Sequence, residues 1–276
     1  MIKVKIIWDF DAPIGQINST FPYRFHFEIL EKEIENVRYI LDTSEEFGFK
    51  YTFAVTGFSA EKSVYPFDIR NLISEIYQKG HEIASHSWRH EWLPLLMEEQ
   101  VIRTLERSKQ VLEKCIGVEG AVKGFVPPHN RPMTWLSKGA FSPGDRGVYP
   151  FFKGANADYI LRILEKLDYR WVRMVYKTPM DRLLRRDSYP SLKRGVYRHN
   201  AINIIPLHYN GFDKKAIDVV KRGLVLNRDV FICGHPSGLS RGGDESKENY
   251  DNFIKFLSKN NHSIVVDRVE DEMFQL

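Results

Sequence analysis

The chain reads as an α/β protein, a single-domain (β/α) barrel of distorted form with seven or eight parallel strands, covering residues 1–276. Short β-branched or aromatic runs alternate with amphipathic helical patterns from end to end, which is the mark of a sheet built from βα units. Polar residues also fall where those runs stop, at Asp9, Asp11, His86 and Pro127-Pro128-His129, and in a barrel catalytic groups collect at the C-terminal ends of strands. No linker, internal repeat or low-complexity stretch interrupts the pattern.

The first strand candidate, Lys3 to Trp8, is rich in Val and Ile. A helix follows over Phe27 to Phe47, where Ile29, Leu30, Ile34, Val37, Ile40 and Leu41 form a 3.6-residue stripe that stops at Gly48, a favourable C-terminal cap. Lys50 to Val55 is the next strand, and Ile69 to Tyr77 is a helix that stops before Gly80. Glu82 to Ser85, Gly124 to Val126, Trp171 to Val175, Ile202 to Ile205, Val230 to Cys233 and Ser263 to Val266 complete the strands. Glu98 to Ile116, Tyr159 to Leu167, Lys214 to Leu226 and Glu245 to Leu257 supply the remaining helices.

The formal net charge of +4 is dispersed in mixed blocks such as Glu31-Lys32-Glu33, so no nucleic-acid partner is expected. The densest basic stretch, with Arg182, Arg185, Arg186, Lys193, Arg194 and Arg198, reads as a solvated loop surface, or alternatively as a patch facing an anionic substrate group. Only Cys115 and Cys233 are present, and the N-terminus runs into a strand without an apolar leader, so a cytoplasmic protein is expected. No stretch approaches the roughly 20 apolar residues of a transmembrane segment.

Asp9-Phe10-Asp11 and the pair His86 and His90 are the chemistry-bearing features. Taken alone, an Asp-x-Asp at a strand end serves several kinds of metal site and is also a common turn opener. The two aspartates flank Phe10 and are read as facing opposite ways in a regular strand, so that a turn, signalled by Pro13 and Gly15, is needed before both face one site. The histidines have the i, i+4 spacing that puts two side chains on one helical face about 5–6 Å apart. Two imidazoles and a carboxylate are a ligand set that zinc and similar divalent ions accept with one position left open, so Asp11, His86 and His90 are candidate ligands.

The segment Gly80-His81-Glu82-Ile83-Ala84-Ser85-His86-Ser87-Trp88-Arg89-His90 resembles the Gly-His-Glu-Ile-x-x-His-[Ser/Thr]-x-x-His motif of the polysaccharide deacetylase family, which carries the NodB homology domain. The strand ending Asp9-Phe10-Asp11-Ala12 is similar to a variant of the family's first motif in which the aspartates are separated by one residue. The resemblance then implies Asp9 as base, Asp11 with His86 and His90 on one divalent ion, most consistent with zinc, and His235 as general acid. Phe125-Val126-Pro127-Pro128-His129-Asn130 is similar to the family's Arg-x-Pro-x-Gly motif, with Val126 in the place of the arginine that steadies the base and Arg131 as a substitute. Pro128, His129, Trp88 and His208 are candidates for contact with substrate.

The implied reaction is hydrolysis of an N-acetyl amide on a sugar or glycan precursor, with water activated by the ion as nucleophile. Alternatives are deformylation or hydrolysis of another C–N amide on the same fold, and a non-catalytic glycan-binding barrel. A further one is a haloacid-dehalogenase-type phosphatase, for which Gly243-Asp244 and Asp251 would supply the late acidic motif. That last reading leaves the Gly80 to His90 segment unexplained.

Overall fold

The alternation is realised in the computed structural model as a curled, mostly parallel sheet covered by helices; residues 1–19, 26–93, 96–128, 140–141, 151–152, 157–174, 192 and 195–273 are described. Its strands are β1 (Ile2–Phe10), β2 (Thr52–Val55), β3 (Glu82–Ser85), β4 (Gly124–Phe125), β7 (Trp171–Arg173), β8 (Tyr197–His199), β9 (Ile202–Ile205), β10 (Tyr209–Asn210), β11 (Val230–Gly234) and β12 (Ile264–Val266). A separate antiparallel pair is made by β5 (Ala140–Phe141) and β6 (Phe151–Phe152). Across the sheet the order is β10-β11-β1-β2-β3-β4-β7-β9-β8, and only β8 runs antiparallel to its neighbour. Among the described residues no pairing joins β10 to β8, so the barrel is distorted to the point of being an open curl.

The helices are α1 (Ala12–Asn18), α2 (Phe27–Phe47), α3 (Gly57–Glu61), α4 (Arg70–Gln78), α5 (Glu98–Ile116), α6 (Ala157–Lys166), α7 (Lys214–Leu226), α8 (Gly238–Arg241), α9 (Lys247–Lys259) and α10 (Glu270–Met273). Three of them, α2, α5 and α7, have the limits that their apolar stripes and caps predict. The cap at Gly48 is left-handed, φ 68°, and its N–H and that of Phe49 return to Glu45 and Ser44 carbonyls. Among the described residues, no helix is long and apolar enough to cross a membrane.

The strand β1 organises the sheet because both of its edges are paired, with β11 on one side and with β12 and then β2 on the other. Its side chains alternate with a period of two. Val4, Ile6, Trp8 and Phe10 belong to the large core under the helices, where Trp8 packs on Phe212, Tyr250 and Tyr51. Ile7 points the other way and joins Ala54, Ala84, Val126, Trp171, Ile205 and Phe231, contributed strand by strand to the inside of the curl. Lys5 and Asp9 share the parity of Ile7 and therefore this inner face.

Polar plugs close the N-terminal end of the curl. Buried Glu82 accepts hydrogen bonds from Thr52 Oγ1 at 2.6 Å, Trp171 Nε1 at 2.8 Å and the Glu270 N–H at 3.1 Å. Burial, with the Glu270 charge added, pushes its carboxyl up to about 7. Lys5 is paired with Asp267 and donates to the Arg268 carbonyl. His81 of the family-like segment is structural: its Nδ1 accepts from the Tyr51 N–H at 3.0 Å and its Nε2 lies 3.2 Å from Ser44 Oγ, tying β2 to α2.

Trp171 needs room to lie across this floor, and Gly124 on the adjacent strand provides it: a Cβ at position 124 would sit 2.0 Å from Cζ2 and 2.1 Å from Cε2 of the indole. Gly124→Ala is therefore expected to overpack the floor and destabilise the protein by about 1–3 kcal/mol. That corresponds to a fall of several degrees in the thermal unfolding midpoint, roughly 2–4 °C per kcal/mol, and a calorimetric scan beside wild type checks it.

Candidate active site

The first motif stands at the C-terminal end of β1. Asp9 lies inside the strand, paired in register with Ala54, and Asp11 follows its last residue. Because residues two apart share a face, the strand itself aims both carboxylates inward; the expectation that a turn must bring them together is corrected. The turn does occur, at left-handed Ala12 with φ 58°, and its consequence is to start α1. Gly15 on α1 sits so close that a Cβ there would be 2.8 Å from Asp11 Cβ.

His86 follows β3 and His90 ends a tight loop, not a helix as the spacing suggested. Ser87 and His90 are both left-handed, φ 62° and 64°, and the two imidazole rings meet with centroids 4.9 Å apart. A non-glycine residue in this region costs roughly 1–2 kcal/mol, so the surroundings must hold the loop. Glu91 accepts from Ser87 Oγ at 2.8 Å, from the Arg89 N–H at 2.7 Å and from Thr104 Oγ1 on α5 at 2.9 Å. The Ser87 carbonyl accepts from the Gly57 N–H and from Ser108 Oγ, each at 2.9 Å.

One carboxylate oxygen, Asp11 Oδ1, lies 3.3 Å from His86 Nε2 and 3.1 Å from His90 Nε2. One ligand atom from each of the three residues falls within 4.8 Å of the others, and all three side chains are buried. His86 Nδ1 is 2.7 Å from the Val126 carbonyl, which can only accept, so Nδ1 carries the proton and Nε2 presents a lone pair. Asp11 Oδ1 is buried and receives no hydrogen bond of good geometry. Lone pairs converging on one point repel unless a cation stands among them, so the donor set fits a divalent ion with N and O ligands. Burial alone would raise the Asp11 carboxyl, but positive charge on the side of the His90 and His86 rings, whether a ring proton or a cation, holds it well below the usual carboxylate range.

Beside this cluster Asp9 forms a fork with fully buried Arg173, whose Nη1 donates to Oδ1 at 2.8 Å and whose Nη2 donates to Oδ2. Burial opposes the Asp9 charge, and the Arg173 guanidinium overrides it, leaving the carboxyl below its ordinary value. His235, just after β11, has Nε2 3.9 Å from Asp9 Oδ2 and Nδ1 2.9 Å from Glu245 Oε1. Burial favours the neutral ring, yet Glu245 and then Asp9 push its pKa up to about 10. The site thus holds an ionised carboxylate and, 3.9 Å away, a protonated imidazole with 29% of its side chain exposed.

The structure brings together Asp9, Asp11, His86, His90 and His235. Buried Pro128 lies two residues beyond the carbonyl that orients His86. His129 and Arg131 lie outside the described residues, as does most of the basic stretch from Arg182. The guanidinium that pairs with Asp9 is Arg173, which the sequence reading missed; its only signal was a charged residue of inward parity, two beyond Trp171, in an apolar run. Glu245 was also missed, since it was read as the start of a helix but stands in a single turn before α9. Trp88 is 6% exposed; its ring lies against Phe58 and carries the Arg107 guanidinium 4.2 Å from its centroid, so it braces the loop. His208 is buried with Nδ1 accepting from the Phe231 N–H at 3.0 Å, which commits that nitrogen to β11.

Residues 27–134 match the family model described as polysaccharide deacetylase. A solved structure from Mycobacterium smegmatis, named provisionally as a polysaccharide deacetylase, superposes with a TM-score of 0.68 at 17% identity, covering 99% of this chain and 89% of that one. The fold is that of the polysaccharide deacetylases. Among curated proteins no sequence matches.

The match to the polysaccharide deacetylase model contains His86 and His90, whereas Asp9, Asp11, Arg173 and His235 lie outside it. A wild-type pseudoenzyme of carbohydrate esterase family CE4 from Bacillus anthracis also superposes, with a TM-score of 0.51 at 11% identity, covering 98% of this chain and 64% of that one. A mutant of that pseudoenzyme with restored enzymatic activity gives 0.53 at 11% identity, covering 98% and 66%. The polysaccharide deacetylase fold is therefore compatible with silence, and side chains decide the chemistry. Asp251, which the phosphatase reading would need for its late acidic motif, accepts from the Tyr39 hydroxyl at 2.5 Å.

Removing Arg173 leaves a buried unpaired carboxylate, so Arg173→Met is expected to destabilise the protein by about 3–5 kcal/mol at pH 7. The double variant Asp9→Asn/Arg173→Met, with no charge left to compensate, should regain much of that loss. Because the folded pKa of Asp9 is depressed, its stabilising contribution is present above the unfolded value and is lost as pH falls through the folded one. Urea unfolding of the four members of this cycle at pH 7 checks the first statement, and its repetition at steps from about pH 4 down to about pH 2 checks the second.

Proposed function

We propose that this protein is a metal-dependent carbohydrate deacetylase that hydrolyses the N-acetyl amide of a sugar or glycan precursor. The observation that carries the proposal is the convergence of Asp11, His86 and His90 on one point beside an Asp9–Arg173 pair, with His235 across from it. Family membership of residues 27–134 points to the substrate class. Zinc is the proposed ion, on the strength of two imidazoles and one carboxylate. We further propose that the chain is one catalytic domain and acts in the cytoplasm on a soluble or carrier-linked precursor.

A divalent ion held by Asp11, His86 and His90 would lower the pKa of a water from about 15.7 towards about 7 and polarise the amide carbonyl. Asp9 takes the proton as water attacks. Its pairing with Arg173 keeps it ionised at neutral pH and fixes its plane, at the cost of some basicity. His235 then donates a proton to the departing nitrogen, because an unprotonated amine anion is too poor a leaving group. Glu245 holds its Nδ1, so Nε2 is the nitrogen turned towards Asp9 and the reacting centre. Deformylation of a formamido sugar needs the same groups, and a panel of acetyl and formyl amides separates the two substrates.

Base and ligand roles separate experimentally. Protein purified without chelator should contain about one zinc per chain by elemental analysis. Asp9→Asn should keep the metal and lose hydrolysis by about 100-fold or more, whereas Asp11→Asn should lose metal. Equal metal loss in both variants would show the pair to be wrongly divided.

His235 works protonated, so hydrolysis should fall on the alkaline side as pH rises through its pKa. Glu245→Gln removes the largest influence raising that pKa. The alkaline limb of kcat/KM should therefore move down by about one pH unit or more; an unmoved limb would remove His235 from the role of acid.

A further inference from the structure

A second polar cluster lies buried on the Oδ2 side of Asp11, between α1, α2 and α8. Its centre is Gln16, 6% exposed. The amide nitrogen Nε2 of Gln16 is 3.3 Å from Asp11 Oδ2, 3.1 Å from Glu33 Oε1 and 3.1 Å from Ser237 Oγ. Its carbonyl Oε1 accepts a hydrogen bond from Nη2 of Arg241, an exposed residue at the end of α8. The proposed reaction uses none of these groups.

We propose that Gln16 is a positioning residue for the metal ligand Asp11, holding Oδ2 so that Oδ1 alone faces His86 and His90. The proposal rests on the reading of those three residues as a metal site. A carboxylate can turn about its last bond and offer either oxygen or both, so a single-oxygen ligand needs a donor fixed on the other oxygen. Gln16 supplies such a donor, and its own amide cannot flip. The reversed orientation would set its carbonyl oxygen against the Asp11 carboxylate and its NH2 against the Arg241 guanidinium. The short distance along the chain is also fixed, since the Gly15 N–H donates to the Asp11 carbonyl at 3.0 Å and Gly15 has no side chain to push Asp11 away.

Glutamine suits the position for its neutrality. A lysine there would add positive charge beside an ion, and a glutamate would repel Asp11. Nε2 has two protons for three acceptors, so Asp11 shares the donor with Glu33 and Ser237. Glu33 is fully buried and its Oε2 has no hydrogen-bond partner. Burial and then the nearby Asp11 charge push its carboxyl up to about 8.

Zinc affinity of metal-stripped protein, measured by competition with a chromophoric chelator, tests the proposal without reference to activity. Gln16→Met keeps the volume and removes the donor; it should weaken zinc binding by about 10- to 100-fold. Arg241→Met, an exposed change that frees the Gln16 carbonyl, should weaken it by a smaller factor of about three or more. Asn36→Ala is the control, because Asn36 bonds the Pro236 carbonyl and Ser240 Oγ at the same helix junction and does not touch Gln16 or Asp11. It should leave zinc affinity unchanged. Wild-type affinity in Gln16→Met, or an equal loss in Asn36→Ala, would overturn the proposal. Should Gln16→Met fail to fold, unchanged zinc binding in Arg241→Met would overturn it. A wild-type protein that binds no zinc would overturn the metal reading and this proposal with it, whereas zinc-binding wild type with unaffected variants overturns only the role of Gln16.

Discussion

Everything in this molecule hangs on the two-residue period of β1 in the middle of the sheet. With both edges paired, the strand cannot slip by one residue without exchanging its two faces, and those faces are unlike. One carries Val4, Ile6, Trp8 and Phe10 into the helical layer. The other carries Lys5, Ile7 and Asp9 into the curl and aims Asp11 the same way. A slip would bury Lys5 and Asp9 under the helices and turn the tryptophan inward. Register, core and site are thus one constraint.

The inside of the curl runs from an ionic and hydrogen-bonded floor, through an apolar middle, to a charged mouth. At the floor Lys5 and Glu82 have their partners, and in the middle one side chain per strand fills the space. At the mouth the charges are kept ionised by neighbours of opposite sign, Arg173 for Asp9 and Glu245 for His235. Desolvation opposes each of these charges, so each is present only with its partner. Asp11 differs, since its Oδ1 has two imidazoles at 3.1 and 3.3 Å and no hydrogen bond of good geometry. An anionic oxygen facing two imidazole nitrogens is the arrangement that a cation would satisfy.

The strain around that oxygen points the same way. Ala12, Ser87 and His90 are left-handed, and each is a candidate ligand or directly follows one. Their loops are held by Glu91, Ser108 and the start of α3, groups whose work is local and would otherwise have little reason to converge. Neighbours of the same fold include a pseudoenzyme, which shows that the scaffold survives without the chemistry. Strained loops, a candidate ligand set and a protonated imidazole next to an ionised aspartate are what this chain offers in support of the proposed chemistry.

Periodicity in the sequence was sufficient for the helices α2, α5 and α7 and the strands β3 and β9, because each needs only its own residues to mark its ends. The segment from Gly80 to His90 likewise carried both histidines, since ligands close together in a chain leave a local pattern. Arg173 and Glu245 left none. They reach Asp9 and His235 across 164 and 10 residues, and their partners are chosen by which strands the sheet places side by side. The same holds for Gln16, whose importance appears only when α1 folds back over Asp11, and for Trp88, an aromatic beside the site by sequence that the packing of α3 and α5 turns into a brace. What depends on neighbours along the chain is written in the chain; what depends on burying a charge against a distant partner is decided only when the sheet closes around it.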